Sequence, residues 1–499
     1  MPQDGNAVDW FLDRHLRENR GDRVAFTDPW RSLTYAELAR ESARFAGALG
    51  KTGIAREQRI ALIMLDTVDF PIAFWGALRA GVVPVPINTL LTAETTDYIL
   101  RDSRAAAVVV SAALAGSVPP VPGIPVISAF GDFLALGADD TKSVEASADE
   151  VAFWLYSSGS TGAPKGVRHV HGSLQFTAET YGRQVLGIQP DDTMFSAAKA
   201  FHAYGLGNCM TFPMSVGASA VFLPDRPTPD AVLDTMRRHR PTLFGGVPTL
   251  YAGLLANPFI GVGAGSDRLR RCISAGEALP ADIGHRWKSM VGLDILDGIG
   301  STEMLHIFVS NRPDDIRYGT SGKPVPGYEA AVLDEHGHPV PNGEAGELII
   351  RGASAADGYW NQRAKTRKTF QGEWTHTGDT YIRDADGYYR YQGRGDEMLK
   401  VSGVWVSPFE VEEALISHPS VLEAAVVGHE DRDGLTKPKA FVILRETGTE
   451  IDREALAEAL KSHVKDRIGV WKYPRWIAFV ETLPKTATGK IQRFRLRIS

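Results

Sequence analysis

The chain has 499 residues, 54 Lys and Arg against 60 Asp and Glu, a net charge of −6, 43% hydrophobic and 23% charged residues. That profile excludes a disordered or fibrous chain and gives no basic surface for nucleic acid, while the length implies two to four domains or subdomains of about 100 to 200 residues. The two cysteines, Cys209 and Cys272, cannot build a disulfide framework; they fit a reducing cytoplasm and read as small buried hydrophobes, since no base-bearing motif accompanies either.

The N-terminal MPQDGNAVDW lacks the basic-then-apolar order of a signal peptide. Arg59 to Met64 reads as a strand, Phe70 to Arg79 as a helix and Val82 to Pro86 as the next strand, an alternation that implies parallel sheets covered by helices. Two uncharged runs, Ala105 to Gly131 and Ala200 to Pro224, are too broken by Pro119, Pro120, Pro122 and Pro125 and by Gly205, Gly207, Pro213 and Gly217 to span a membrane as helices. Ala330 to Asp334, Gly346 to Gly352 and Gly387 to Gly393 are strand-like runs with no helix expected between them, and they suggest a β-rich subdomain. After Gly393-Arg-Gly-Asp-Glu397, a helix from Pro408 to His418, strands at Ala424 to Gly428 and Ala440 to Leu444, and a helix from Asp452 to Lys465 form a new unit. The expected fold class is α/β: a large N-terminal domain, 1–395, of parallel α/β subdomains plus the β-rich subdomain, and a small α+β C-terminal domain, 396–499. A soluble, cytoplasmic protein is expected, a monomer or homodimer with no nucleic-acid or membrane partner.

The sharpest chemical signal is Tyr156-Ser-Ser-Gly-Ser-Thr-Gly-Ala-Pro-Lys-Gly166, directly after the apolar run Val151 to Leu155. Glycines let backbone N–H groups approach phosphate oxygens, Ser157, Ser158, Ser160 and Thr161 add donors, and Lys165 adds a compact positive charge. A Walker A loop is excluded, because Pro164 stands where glycine should precede the lysine and Gly166 replaces the Ser or Thr that would ligate magnesium. Flexible Gly/Ser linkers do not combine hydroxyls, Pro and Lys in this order behind a buried strand.

The loop closely resembles the phosphate loop of the adenylate-forming enzymes, the family of acyl- and aryl-CoA ligases, peptide-synthetase adenylation domains and firefly luciferase. Further segments resembling that family follow in its order: Ser274-Ala-Gly-Glu-Ala-Leu-Pro280, Asp297-Gly-Ile-Gly-Ser-Thr-Glu303, Thr377-Gly-Asp379, Gly393 to Lys400 and Pro484-Lys-Thr-Ala-Thr-Gly-Lys490. The resemblance runs from Leu33-Thr-Tyr-Ala-Glu-Leu to Lys490. It implies that ATP is bound by Ser157, Ser158, Gly159, Ser160, Thr161, Gly162 and Lys165, by Ala275, Gly276 and Glu277, by Asp297, Gly298 and Ile299, and at the ribose by Asp379 with Arg394. It implies catalytic roles for Thr302, Glu303 and Lys490, with Glu303 also holding Mg2+. The chemistry suits these residue types: a carboxylate must attack the α-phosphate of ATP, and two anions meet only when their charge is neutralised. Where the family carries an aromatic residue against adenine, this chain has Ile299, which can cover the base by dispersion.

The string DGIGSTEMLHIF and Phe201-His-Ala-Tyr-Gly-Leu-Gly-Asn208 look most like the benzoate-CoA ligase branch. That resemblance implies an aromatic carboxylic acid in a pocket lined by Ala203, Tyr204, Gly300, Ser301, His306 and Ile307. His306, four residues after Thr302, shares a face with it if the segment is helical. The His169/His171 pair lacks the third ligand of a metal site, and Gly261 to Gly265 reads as a loop without the strand of a dinucleotide fingerprint.

The last 39 residues carry ten Lys or Arg against two acidic residues, the right sign for coenzyme A phosphates. By resemblance His202, Gly403, Trp471, Lys472 and Arg475 contact coenzyme A. Because Lys490 and the thiol compete for one face of the adenylate, the family rotates its small C-terminal domain, with Asp396 at the hinge position. The expected activity is an aryl-CoA ligase using ATP, Mg2+ and coenzyme A. A free-standing adenylation enzyme that loads a carrier protein stays open beside it, as does a non-catalytic acyl or nucleotide sensor, against which Lys490, Glu303 and Asp379 argue.

Overall fold

A computed structural model of the chain describes residues 5–159, 162–395, 397–401, 404–432, 435–445, 452–470, 472–485 and 491–497. Short apolar runs that must be buried on both faces become six neighbouring parallel strands, ordered Ile295–Gly300, Arg271–Ser274, Leu243–Gly246, Thr193–Ser196, Ser219–Val221 and Val24–Thr27. Antiparallel strands, Ile307–Ser310 with Lys323–Pro324 on one side and Ser32–Thr34 on the other, complete a nine-stranded sheet. A second, four-stranded parallel sheet holds Val83–Pro86, Arg59–Ile63, Ala105–Val110 and Val126–Ile127, and the helix Asp69–Arg79 follows Arg59–Ile63 as the alternation predicts. Its Phe70, Phe74 and Trp75 are fully buried in the main core. Thr34 and Glu37 within the Leu33-Thr-Tyr-Ala-Glu-Leu string form a capping box on helix Tyr35–Lys51, each side chain accepting from the other's backbone N–H. Among the described residues no helix is long and apolar enough to cross a membrane.

The β-rich region is an antiparallel sheet of Glu329–Leu333, Ala345–Arg351, Trp374–Arg383, Phe370–Gln371 and Tyr389–Arg394. Contrary to expectation, a helix, Arg363–Thr369, stands among these strands. None of its residues is buried, so no apolar stripe marks it. Separately, Val151–Gly159 and Gly162–Val170 form an antiparallel hairpin with Gly358–Tyr359 as a third strand. The described part of the Gly/Ser segment therefore lies on two paired strands and not at the start of a helix.

Beyond strand Tyr389–Arg394, the helices Pro408–Ile416 and Arg453–Ile468 pack with the three-stranded sheet Val421–Glu430, Thr436–Leu444 and Trp476–Phe479 around their own core of Val406, Val411, Leu415, Val426, Val442 and Leu460. Ser407 and Asp452 cap the two helices through backbone N–H groups. The first helix ends at Ile416, two residues before the predicted His418.

Candidate active site

Open parallel sheets present their loops at the carboxyl ends of the strands. Here the ends of four adjacent strands and the loops after them supply His202 to Tyr204, Gly246, Ala275 to Glu277 and Ser301 to Glu303. Tyr204 ties them together, its hydroxyl shared between the carbonyls of Gly246 at 3.1 Å and Ile273 at 3.2 Å.

The hairpin brings Lys165 to this edge. Its Nζ lies 3.1 Å from Glu303 Oε1 and donates at 2.8 Å to the hydroxyl of Tyr359, which itself donates at 2.8 Å to the same Glu303 oxygen. The ammonium also stands 4.1 Å from the Tyr359 ring centroid. Burial pushes the Glu303 carboxyl up, but the Lys165 charge and the Tyr359 hydroxyl outweigh it and hold the group below the usual carboxylate range. Tyr359 is absent from the motif reading; the only local signal is its place in Gly358-Tyr-Trp360. Ser157 pairs with Lys165 across the hairpin and Gly159 with Gly162, while Ser160 and Thr161 lie outside the described residues, as does the side chain of Ser158.

Residues 302–306 form a turn, correcting the helical placement of Thr302 and His306 on one face. Leu305 takes a left-handed φ of 66°, Met304 N–H donates to Ser301 Oγ at 3.2 Å, and His306 turns inward. Its ring lies among Phe212, Tyr181 and Tyr204, with centroids at 4.5, 5.1 and 5.6 Å, and its Nε2 stands 3.3 Å from the Tyr204 carbonyl oxygen. Burial pushes the imidazole down to about 3, so it is a neutral wall at physiological pH. Gly207 makes room for it, since a Cβ there would lie 2.5 Å from His306 Cδ2, and at Gly300 a Cβ would lie 2.4 Å from the His306 carbonyl oxygen. Gly300 pairs with the buried Ile307, and half-buried Ala203 and Tyr204 pack against the main core.

Asp297 is buried on strand Ile295–Gly300; Leu279 N–H donates to its Oδ2 at 3.3 Å, and its Oδ1 has no partner among the described residues. Burial raises this carboxyl well above its ordinary range. Gly298 and half-buried Ile299 follow it, paired with Ser310 and Val309. Asp379 and Arg394 face each other across an antiparallel pair, with Arg394 Nη1 donating to Asp379 Oδ1 at 3.1 Å.

Lys490, Asp396, Gly403 and Trp471 lie outside the described residues. Lys485 and Ile491 pair as an antiparallel bridge on either side of the segment that includes Lys490, and Ile491 N–H donates at 3.1 Å to Glu277 Oε1. A second contact between the same regions runs from Ala281 N–H to Glu413 Oε1 at 3.3 Å. Arg493 reaches Glu412 at 2.8 Å and Glu397, next to Asp396, at 3.4 Å. Lys472 sits 2.7 Å from both oxygens of Glu410, and Arg475 stacks 3.6 Å from the Tyr473 ring centroid; His202 packs edge-on against Phe201 at 4.6 Å.

His169 stacks on Phe153 at 5.1 Å, and His171 Nδ1 accepts from Ala7 N–H at 3.1 Å; burial pushes both down to about 4. They serve separate packing roles. Among the described residues no group of three His, Cys, Asp or Glu could hold a metal ion. Cys209 and Cys272 are buried free thiols pushed up by burial, Cys272 to about 12, in keeping with their reading as hydrophobes.

Residues 12–360 match the AMP-binding enzyme family, and residues 410–490 match the AMP-binding enzyme C-terminal domain. The chain is 52% identical to a 4-hydroxybenzoate-CoA/benzoate-CoA ligase of Rhodopseudomonas palustris, covering 100% of this chain and 95% of that one. It is 53% identical to a benzoate-CoA ligase of Thauera aromatica, covering 100% and 96%. Its structure is similar to that of a benzoate CoA ligase from Burkholderia xenovorans, with a TM-score of 0.93, 50% identity and 99% of each chain covered.

Proposed function

The chain belongs to the AMP-binding enzyme family, and from that premise we infer that it is an aryl-CoA ligase converting a benzoate-class acid, ATP and coenzyme A to aryl-CoA, AMP and diphosphate through an aryl-adenylate. The observation that carries the reading is one turn: Glu303, bound to Lys165, lies three residues before His306, whose neutral ring stands among Phe212, Tyr181 and Tyr204. In this reading the turn sets the phosphates beside the aromatic ring, with the substrate carboxylate between them.

In this reading the hairpin residues Ser157 to Gly162, with Lys165, bind the ATP phosphates, and Lys165 offsets their charge. The unpartnered Oδ1 of Asp297 suits the adenine amino group, Ile299 covers the base, and Ala275 to Glu277 border it. Asp379, oriented by Arg394, accepts the ribose hydroxyls. Thr302 donates to a phosphate oxygen, and Lys490 bridges the substrate carboxylate and the α-phosphate as charge grows. Glu303 fits a magnesium ion, because a single ionised carboxylate completed by substrate phosphates is the donor set that ion prefers. Magnesium held by Glu303 would offset polyphosphate charge. The acid ring rests against Ala203, Tyr204, Gly300, Ser301, His306 and Ile307, a wall suited to a neutral benzene ring.

We divide the chain at 395/396 and place the hinge at Asp396. The contact of Ile491 with Glu277, beside Lys490, suits the adenylating arrangement. Rotation would then bring Gly403, Trp471, Lys472 and Arg475 to coenzyme A beside His202, with Lys472 exchanging its ion pair with Glu410 for a phosphate. The buried free thiols suit a reducing cytoplasm. The test is a panel of benzoate, hydroxy-, amino- and halobenzoates, cinnamates and medium-chain acids ranked by kcat/KM, with coenzyme A and a holo-carrier protein as rival acceptors. Benzoates with coenzyme A should lead. A tenfold preference for fatty acids, about 1.4 kcal/mol, would refute the aryl pocket, and exclusive use of the carrier would refute the thiol assignment.

A further inference from the structure

Asp102 ends the helix Ala93–Asp102 in the four-stranded subdomain, outside every motif described above. Two of its oxygens reach the residues around the phosphate hairpin: Oδ2 accepts from the Tyr156 hydroxyl at 2.6 Å, and its main-chain carbonyl accepts from Trp360 Nε1 at 2.8 Å. Tyr156 immediately precedes Ser157. Trp360 immediately follows Tyr359, which binds Lys165 and Glu303.

Between them the two aromatic residues grip Gly166, the neighbour of Lys165. Tyr156 pairs with Gly166 across the hairpin and lies so close that a Cβ there would sit 3.2 Å from Tyr156 Cζ, while Trp360 N–H donates to the Gly166 carbonyl at 2.8 Å. The Trp154 and Trp360 rings lie 4.7 Å apart, and the Arg59 guanidinium stands 5.5 Å from each of them while donating to the Ser103 carbonyl at 2.8 Å. The hairpin strands at Tyr156 and Gly166 are thus referenced to a helix end in another subdomain, and beside reacting groups a displacement of about 1 Å matters.

We propose that Asp102 is a positioning residue for adenylation, fixing Lys165 and Tyr359 against the ATP phosphates through Tyr156 and Trp360. The proposal rests on the reading that this hairpin binds ATP. It is tested with Tyr156→Phe, Asp102→Ala and Asp102→Asn in the full chain, following benzoate-dependent ATP–diphosphate exchange, coenzyme A attack on supplied benzoyl-adenylate, and Tm. Tyr156→Phe and Asp102→Ala should each raise the KM for ATP about tenfold, the double variant should be no worse than either, and KM for benzoate and the thiol step should stay within about twofold. Asp102→Asn keeps an acceptor oxygen and should recover to within about threefold of wild type. An unchanged KM for ATP in Tyr156→Phe, parallel losses in all three kinetic measures, or Asp102→Asn as impaired as Asp102→Ala would overturn the proposal. Wild-type enzyme without acid-dependent exchange would overturn the adenylation reading and the proposal together, whereas normal wild-type exchange with indifferent variants removes the proposal alone.

Discussion

Replacing Tyr359 by Phe deletes one oxygen and leaves the ring, so the 4.1 Å contact of Lys165 with the aromatic face survives while both 2.8 Å bonds to the hydroxyl vanish. Hydrogen bonds to charged groups contribute about 1.5 to 3 kcal/mol, and the side chains of Lys165 and Glu303 are only 20% and 16% exposed, so solvent compensates little. Because Lys165 and Glu303 still pair directly at 3.1 Å, the net loss is taken as one such bond, which predicts a fall of about 10- to 150-fold in kcat/KM for ATP in benzoate-dependent diphosphate exchange. The pH profile adds a sign. Burial raises the Glu303 carboxyl, and Lys165 with Tyr359 brings it below its usual range, so ionised Glu303 persists above that depressed value and is lost as pH falls through it. Without the hydroxyl the acid limb of exchange activity should move to higher pH. Wild-type kcat/KM for ATP together with an unmoved acid limb in a variant of normal Tm would show that the Tyr359 hydroxyl does not support Lys165 and Glu303.

Lys490→Ala should reduce adenylate formation by about 10² to 10³ while leaving coenzyme A attack on supplied benzoyl-adenylate largely intact; equal losses in both half-reactions would remove the lysine from its role. Gly207→Ala places a methyl group 2.5 Å from His306 Cδ2, so it should cost about 1 to 3 kcal/mol of stability and raise the KM for benzoate. A wild-type benzoate KM in that variant would show that His306 does not shape the acid pocket. His15, His169 and His171 are pushed down to about 4 and His306 to about 3, chiefly by burial. Their folded forms stay neutral while the unfolded chain binds protons below about 6.5, so stability should be full above that pH and fall as pH drops toward 5, by up to about 1.4 kcal/mol per pH unit for each histidine. A urea midpoint that is flat across this window would contradict their burial.

Much of the site was legible from short stretches of chain. Glycine, hydroxyl and lysine chemistry within Tyr156 to Gly166, and the strand-helix-strand pattern from Arg59 to Pro86, depend on residues a few positions apart, where periodicity and turn preference act directly. The helix Arg363–Thr369 and the strand Trp374–Arg383 escaped because their polar residues carry no apolar stripe. The pairing of Lys165 with Tyr359 spans 194 residues and that of Asp102 with Trp360 spans 258, separations at which sequence pattern holds no information about contact.

The kinds of group offered for phosphate, ribose and carboxylate can be read along the chain alone, because they are properties of side chains and their local spacing. How those groups are held depends on contacts between distant parts of the chain. The left-handed turn at Leu305 and the space left by Gly207 orient His306, and one hydroxyl from a distant strand joins Lys165 to Glu303. Such arrangements come from packing between elements, where a few tenths of an ångström separate a contact from a clash.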